Sequence, residues 1–286
     1  MRRLLLLLIA LLALPSPAAA WWEYGHETIA TIAAAEAKPA TRRAIARLLA
    51  QSALLDTPTC PARTIEQASV WPDCVKELGD RFSYAYSWHY QNVDVCKPFD
   101  LTAACKDGNC VSKQIERARR MLADRKLPGR ERIVALANLV HFMGDLHQPL
   151  HAGDRTDRGG NDTIAAYGAI AGRRTNLHAI WDGLLADRAI STPVGGPLGI
   201  LAEVPAVDRA GVAGGTVEDW SRESWQVAHD SVYAVALGDP CGPKPDRAML
   251  DEAKIRTLIA PLRLQVARGG IRLARLLDEA LDQTPG

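Results

Sequence analysis

The chain has no surplus of either charge. Its 34 lysines and arginines stand against 33 acidic residues, a formal charge of +1. That balance excludes a protein that holds nucleic acid by bulk positive charge. Beyond the first twenty residues no apolar run approaches the roughly eighteen needed to cross a bilayer, so no membrane partner is expected. No Cys-x-x-Cys pair occurs among the six cysteines, which argues against a thiolate zinc site. Sustained strand alternation is missing, apart from a short candidate hairpin around residues 164–173. Internal repeats and low-complexity linkers are missing too, so one all-α domain is the economical expectation for residues 21–286.

The first twenty residues read as a secretory signal peptide. Arg2 and Arg3 are followed by an apolar run from Leu4 to Leu14, and Ala18, Ala19 and Ala20 supply small residues for cleavage. Cleavage removes two arginines and no acid, takes the charge from +1 to −1 and makes Trp21 the N-terminus. The cysteines suit an oxidising compartment, periplasmic or extracellular. Six allow fifteen pairings. Spacing favours Cys60 with Cys74, Cys105 with Cys110 across a turn-like KDGN, and Cys96 with Cys241 as a long staple.

Apolar periodicity predicts helices over residues 25–37, 39–50, 111–123, 129–146, 175–188 and 216–237, with 249–281 as a helical hairpin or a helix broken at Pro261. Residues 72–84, 94–109, 153–165 and 191–215 read as loops, the last as a flexible excursion.

What the chain does have is histidine in telling places. HFMGDLHQPLH, His141 to His151, holds three of its seven histidines. His141 and Asp145 are four apart and share a helical face, and His178 and Asp182 repeat the spacing. Imidazole with carboxylate suits zinc and related divalent ions. Asp73 in a loop, His89 on an aromatic segment and His26 near the mature terminus supply further ligands. The α-amine of Trp21 is another, since its pKa near 7.7 to 8.0 makes deprotonation cheap. These residues can make three sites, with Asp145 shared between two. His147 faces another way and reads as a support behind the ligands or as structural, and His229 as surface or packing. Tyr90 is a candidate for base stacking and Asn161 for phosphate contact. Trp22, Trp71, Trp88 and Trp181 adjoin the ligands, and most of them are expected to wall the site.

Together W-x-x-x-G-H at Trp21, W-x-D at Trp71, the single His89, H-x-x-x-D-x-H-Q-P-L-H and N-L-H-x-x-W-D at Asn176 resemble the S1/P1 nuclease family in kind and order. The stretch G-x-R-L-A-x-L-L from Gly270 adds to the likeness, as does the spacing of Cys105 and Cys110. The resemblance implies a mostly helical, phospholipase C-like domain with three zinc ions. One ion would take Asp73, His89, His141 and Asp145, a second His151, His178 and Asp182, and a third Trp21, His26 and Asp145. It implies an exported endonuclease that hydrolyses single-stranded DNA and RNA through a zinc-activated water and removes 3′-phosphates from nucleotides, with no protein partner. Asp145, as the bridge, joins the catalytic set. Two positions depart from the pattern: Lys76 stands where phosphate-binding Arg is usual, and Asn92 where Asp often orients the attacking water. Two alternatives stand beside this expectation, a zinc phospholipase C and a non-catalytic zinc-binding protein.

Overall fold

The computed structural model describes residues 21–173 and 175–281; the proposed signal peptide lies outside them. The helix Gly129–Leu146 runs through the middle. Its first two turns bury only the stripe of Ile133, Ala135, Leu136 and Ala137, whereas Leu139 to Leu146 are all buried. A helix apolar on one face at its start and enclosed at its end has to be wrapped by others. Val111–Ala123, Ile65–Cys74 and Glu252–Leu281 do this, and Glu23–Glu36 closes the layer between the last two. The enclosed end carries His141 and Asp145, so the chemistry-bearing groups sit where water has been removed.

Two expected helices, Val111–Ala123 and Gly129–Leu146, have the predicted bounds. Elsewhere the structure corrects the expectation. Asp73 is not in a loop: it lies in the last turn of the helix Ile65–Cys74, begun by Thr64, whose side chain accepts the Gln67 backbone N–H. Pro72 inside that helix disguises it. The rest of the supposed loop forms 3-10 turns, Val75–Arg81 and Ser83–His89. Pro261 does not break Glu252–Leu281. Leu258, Leu262 and Val266 are fully buried on either side of it, and their packing offsets the roughly 3 kcal/mol an interior proline costs. The supposed flexible excursion contains the helices Pro197–Ala202 and Ala206–Ala213.

The expected helices at 175–188 and 216–237 are each interrupted by a π-turn, Ile180–Leu185 and Ala228–Tyr233. The first carries Asp182. Two short parallel strand pairs fasten the periphery, Val93–Asp94 with Gly153–Asp154 and Ala165–Tyr167 with Ala248–Leu250. The candidate hairpin survives as antiparallel bridges, Tyr167 to Ile170 and Ile164 to Asn176. All three favoured cystine pairs form: Cys60–Cys74, Cys96–Cys241 and Cys105–Cys110.

Candidate metal centre

His141 points from the central helix into a pocket where Asp73, His89 and Asp145 meet it. Asp145 Oδ2 lies 2.9 Å from His89 Nδ1 and 3.1 Å from His141 Nε2. Asp73 Oδ1 lies 3.5 Å from each of the same nitrogens. The other oxygen of Asp145 faces His26 Nε2 and His151 Nδ1, each at 3.5 Å. His178 Nε2 and Asp182 Oδ2 are 3.1 Å apart, with the His151 ring stacked on that of His178 at 5.0 Å between centroids. Potential ligand atoms of three groups converge: His26, His141 and Asp145; Asp73, His89 and His141; and His151, His178 and Asp182. Every expected side-chain ligand is therefore gathered, and Asp145 faces members of all three groups.

The backbone fixes how three of these rings point. A carbonyl can only accept, so the nitrogen beside it carries the proton. His141 Nδ1 donates to Ser69 O at 2.6 Å, His151 Nδ1 to His89 O at 2.7 Å, and His178 Nδ1 to Gly159 O at 2.7 Å. Each neutral ring then turns an Nε2 lone pair toward the pocket, the arrangement that prepares a histidine for a metal. Gly159 can supply its carbonyl because its φ is +60°, and a Cβ there would meet Leu150 O at 2.2 Å. Gly144 is needed as well, since a Cβ would fall 2.5 Å from His26 Nδ1. Gln148, fully buried, donates from Nε2 to Asp182 Oδ1 at 2.7 Å and accepts the Leu150 backbone N–H at Oε1. One carboxylate oxygen of Asp182 is thus occupied and the other left free.

That free oxygen has company. Both ring nitrogens of His26, His89 Nε2, Asp145 Oδ1, His151 Nε2 and Asp182 Oδ2 are buried with no hydrogen-bond partner. Each such group costs on the order of 1–3 kcal/mol. So many unpartnered polar atoms around one pocket fit the coordination of divalent cations, and the oxygen and imidazole set matches zinc-type ligands. Burial pushes His26 well below its ordinary pKa, the nearby His141 adding to the effect, and burial brings His89 down to about 4 and lowers His151. Burial opposes the shift of Asp145, but His141 and His151 outweigh it and hold the carboxyl well below its usual range. His141 and His178 go the other way: burial lowers them, yet the carboxylates beside them raise them above the ordinary value.

Trp21 is fully buried, and its indole donates to Gly144 O at 2.9 Å. The next residue donates its backbone N–H to Asp182 O at 2.9 Å. The start of the described chain is thus clamped between the two helices that carry Asp145 and Asp182. Over the clusters opens a cleft of about 450 Å³. Lys76, Tyr90, Asn92 and Asn161 line it, together with Tyr86 and Arg158, which the sequence reading passed over. Tyr86 stands three residues before His89, one turn of the 3-10 segment, which was the signal available. Lys76 Nζ rests against Asp73 Oδ1, and Asn161 Nδ2 donates to Arg158 O. Asn92 has a φ of +50°, a conformation asparagine tolerates.

The remaining residues fall into supporting places. His147 donates from Nδ1 to Met143 O and accepts from Arg272 at 3.0 Å, which makes it structural. His229 pairs with Asp230. Trp71, Trp88 and Trp181 are buried walls, while Trp22 is 48% exposed.

The S1/P1 Nuclease family model matches residues 21–282. Endonuclease 4 of Arabidopsis thaliana is 27% identical over 310 residues, covering 97% of this chain and 94% of that protein. Endonuclease 2 of the same plant is 31% identical over 179 residues, 59% of this chain and 57% of that protein. Nuclease S1 of Aspergillus oryzae (strain ATCC 42149 / RIB 40) is 31% identical over 186 residues, 64% and 60% of the two chains. The first of these matches is full length; the other two cover less than two thirds of the relative.

Proposed function

This chain belongs to the S1/P1 nuclease family, and on that footing we propose that it is an exported, zinc-dependent endonuclease of single-stranded DNA and RNA that also releases 3′-phosphate from nucleotides. The observation that carries the reading is the set of unpartnered imidazole and carboxylate groups buried beneath one cleft. In this reading Asp73, His89, His141 and Asp145 hold one ion. His151, His178 and Asp182 hold a second. The amine and carbonyl of Trp21, with His26 and Asp145, hold a third. Bound zinc supplies Lewis acidity at the phosphate and lets water lose a proton near neutral pH.

The chain's own groups do the rest. Three carboxylates, Asp73, Asp145 and Asp182, against three dications leave a positive centre, so a chain of balanced charge still draws a phosphodiester. Lys76 and Arg158 line the cleft and steer the phosphate. Lys76 lacks the bidentate fork an arginine would bring. Asn92 offers a neutral side-chain carbonyl to the attacking water, with no charge to raise its basicity. Tyr90, 41% exposed, and Tyr86, 48% exposed, present rings on which a base freed from a duplex can stack. Asn161 adds an amide at the rim. The three disulfides and the lack, among the described residues, of any helix long and apolar enough to cross a membrane support export.

The test is elemental analysis of the mature protein paired with hydrolysis of single-stranded DNA, RNA, a 3′-mononucleotide and phosphatidylcholine. Zinc near three equivalents with cleavage of the nucleic acids is expected. Hydrolysis of the lipid alone would move the chain to the phospholipase C alternative, and bound zinc without turnover would make it a metal-storage protein.

A further inference from the structure

The exposed aromatic surface does not stop at the cleft. The 3-10 segment Ser83–His89 delivers His89 inward, and its far end presents Tyr84, 60% exposed. The helix Val111–Ala123 runs beside this segment in the opposite sense. At the cleft end the Val111 N–H donates to Tyr90 O at 3.2 Å. Farther out the Arg117 guanidinium lies 5.2 Å from the centre of the Trp88 ring, and the edge of Trp88 meets Tyr84 at 5.2 Å between centroids. Tyr84, Gln114 and Arg117 then line one shared hollow.

Moving from residue 111 to 117 up the helix covers about 9 Å. Moving from 90 back to 84 along the 3-10 turn covers about 12 Å. The two paths therefore bring an aromatic ring and a guanidinium abreast, roughly 10 Å from the Tyr90 side of the cleft. Lys113, one turn before Arg117 on the same helix, is exposed.

The charges on this face are unspent. Arg119 and Arg120 on the same helix pair with Glu116, whereas Arg117 and Lys113 form no ion pair among the described residues. Glu131, which also lines the hollow, faces Arg130 at 3.6 Å. An exposed ring beside a cation that has no acidic partner, reached from the cleft along two antiparallel elements, has the make-up of a single-strand track: sequence-tolerant stacking for a base and a point of charge for its phosphate.

We propose that Tyr84 and Arg117 form an outer nucleotide subsite that holds single-stranded nucleic acid one or two nucleotides beyond the scissile bond. This rests on the nuclease reading, so its test carries an arm that does not need cleavage. The first measurement is the ratio of KM for a thymidylate dimer to KM for an octamer. Tyr84→Ala should shrink that ratio by about 5-fold or more, the lower end of base–aromatic stacking. Tyr84→Phe keeps the ring and should keep the ratio. Arg117→Ala should shrink it as well and lower the salt slope of octamer binding by about one.

The second measurement is fluorescence anisotropy with a labelled octamer carrying hydrolysis-resistant phosphorodithioate linkages, on the metal-loaded protein. Loss of affinity in Tyr84→Ala and Arg117→Ala, with retention in Tyr84→Phe and equal melting temperatures, supports the subsite. If the protein cleaves nothing yet shows that pattern, the nuclease reading falls and the subsite stands. A KM ratio and an octamer affinity both unchanged in Tyr84→Ala would mean the ring only covers Trp88, and the proposal is overturned.

Discussion

The group of His151, His178 and Asp182 and the position of His26 share one pocket but are built on different terms. In the first, each ligand has its second polar atom tied down: His151 to His89 O, His178 to Gly159 O, Asp182 to Gln148. His26 has neither ring nitrogen engaged. It is held by shape alone, stacked on His141 at 4.0 Å between centroids and seated against Gly144. A ligand with a fixed tautomer and direction gives up little entropy when it coordinates. One held by packing keeps both its nitrogens uncommitted until something fills the space. The first group is oriented before any ion arrives, whereas in the proposed reading the His26 position would be completed by Trp21 and the shared carboxylate of Asp145.

The harshest way to break this contrast is to remove what the two regions share. Asp145 faces His89 and His141 with one oxygen and His26 and His151 with the other. Asp145→Ala should lower single-strand cleavage by more than about 100-fold, beyond the range typical of outer-shell changes, and should cost more than one equivalent of metal on elemental analysis. A variant that keeps its full metal content would show that the groups do not depend on a common bridge.

Next in size is the weak side alone. His26→Ala, or a mature protein carrying one extra residue before Trp21, should lose a single equivalent of zinc on titration with a chelator and keep the ion bound by His151, His178 and Asp182. Activity should fall on the order of 100-fold. Equal loss from both regions would refute the independence argued above.

A milder change sharpens the contrast from the other side. Gln148→Leu removes the amide that occupies Asp182 Oδ1 without adding charge. It leaves that oxygen buried and unpaired, or lets the carboxylate rotate. Metal affinity at the pre-oriented group should weaken about 10- to 100-fold, seen as one ion released at lower chelator concentration while the others hold. Gln148→Glu, by setting a second carboxylate against Asp182, should weaken it further.

How much of this was readable beforehand follows from locality. Val111–Ala123 and Gly129–Leu146 were legible because long apolar periodicity survives any tertiary setting. The neighbourhood of His141 with Asp145 and of His178 with Asp182 was legible because a His–x–x–x–Asp pair needs only one helical turn to bring its members together. Asp73 was found but its helix was not, since Pro72 reads as a breaker where packing of Trp71 and Ala68 in fact carries the turn. The π-turns at Ile180–Leu185 and Ala228–Tyr233 have no local signature. Parallel pairing of Ala165–Tyr167 with Ala248–Leu250 joins segments too far apart for any pattern to reveal. Gln148 and Gly159 were invisible for a related reason: their roles lie in one carbonyl or amide aimed at a ligand from another element, and nothing in the residue type announces that.

The smallest expected effect concerns acid, and it distinguishes the two regions in the metal-free protein. His26, His89 and His151, with His147, have folded pKa values below the unfolded one, through burial in every case. Between the two values the unfolded chain binds the extra proton, so stability rises with pH and is lost as pH falls from about 6.5. For His89 the loss continues to about 4. His141 and His178 are raised and act in the opposite sense, contributing stability in acid that disappears as pH climbs through their folded values. The lowered set outnumbers the raised one, so the melting temperature of chelated protein should drop between pH 6.5 and 4. The metal-loaded protein should hold until protons displace its ions. His26→Ala removes a neutral ring that acid must charge and should flatten the chelated protein's slope between pH 6.5 and 4, whereas His178→Ala should leave the slope in that window unchanged, lower the melting temperature across it, and remove a loss of stability above pH 6.5. Identical slopes in the two variants would mean that the difference in their hydrogen bonding has no energetic consequence.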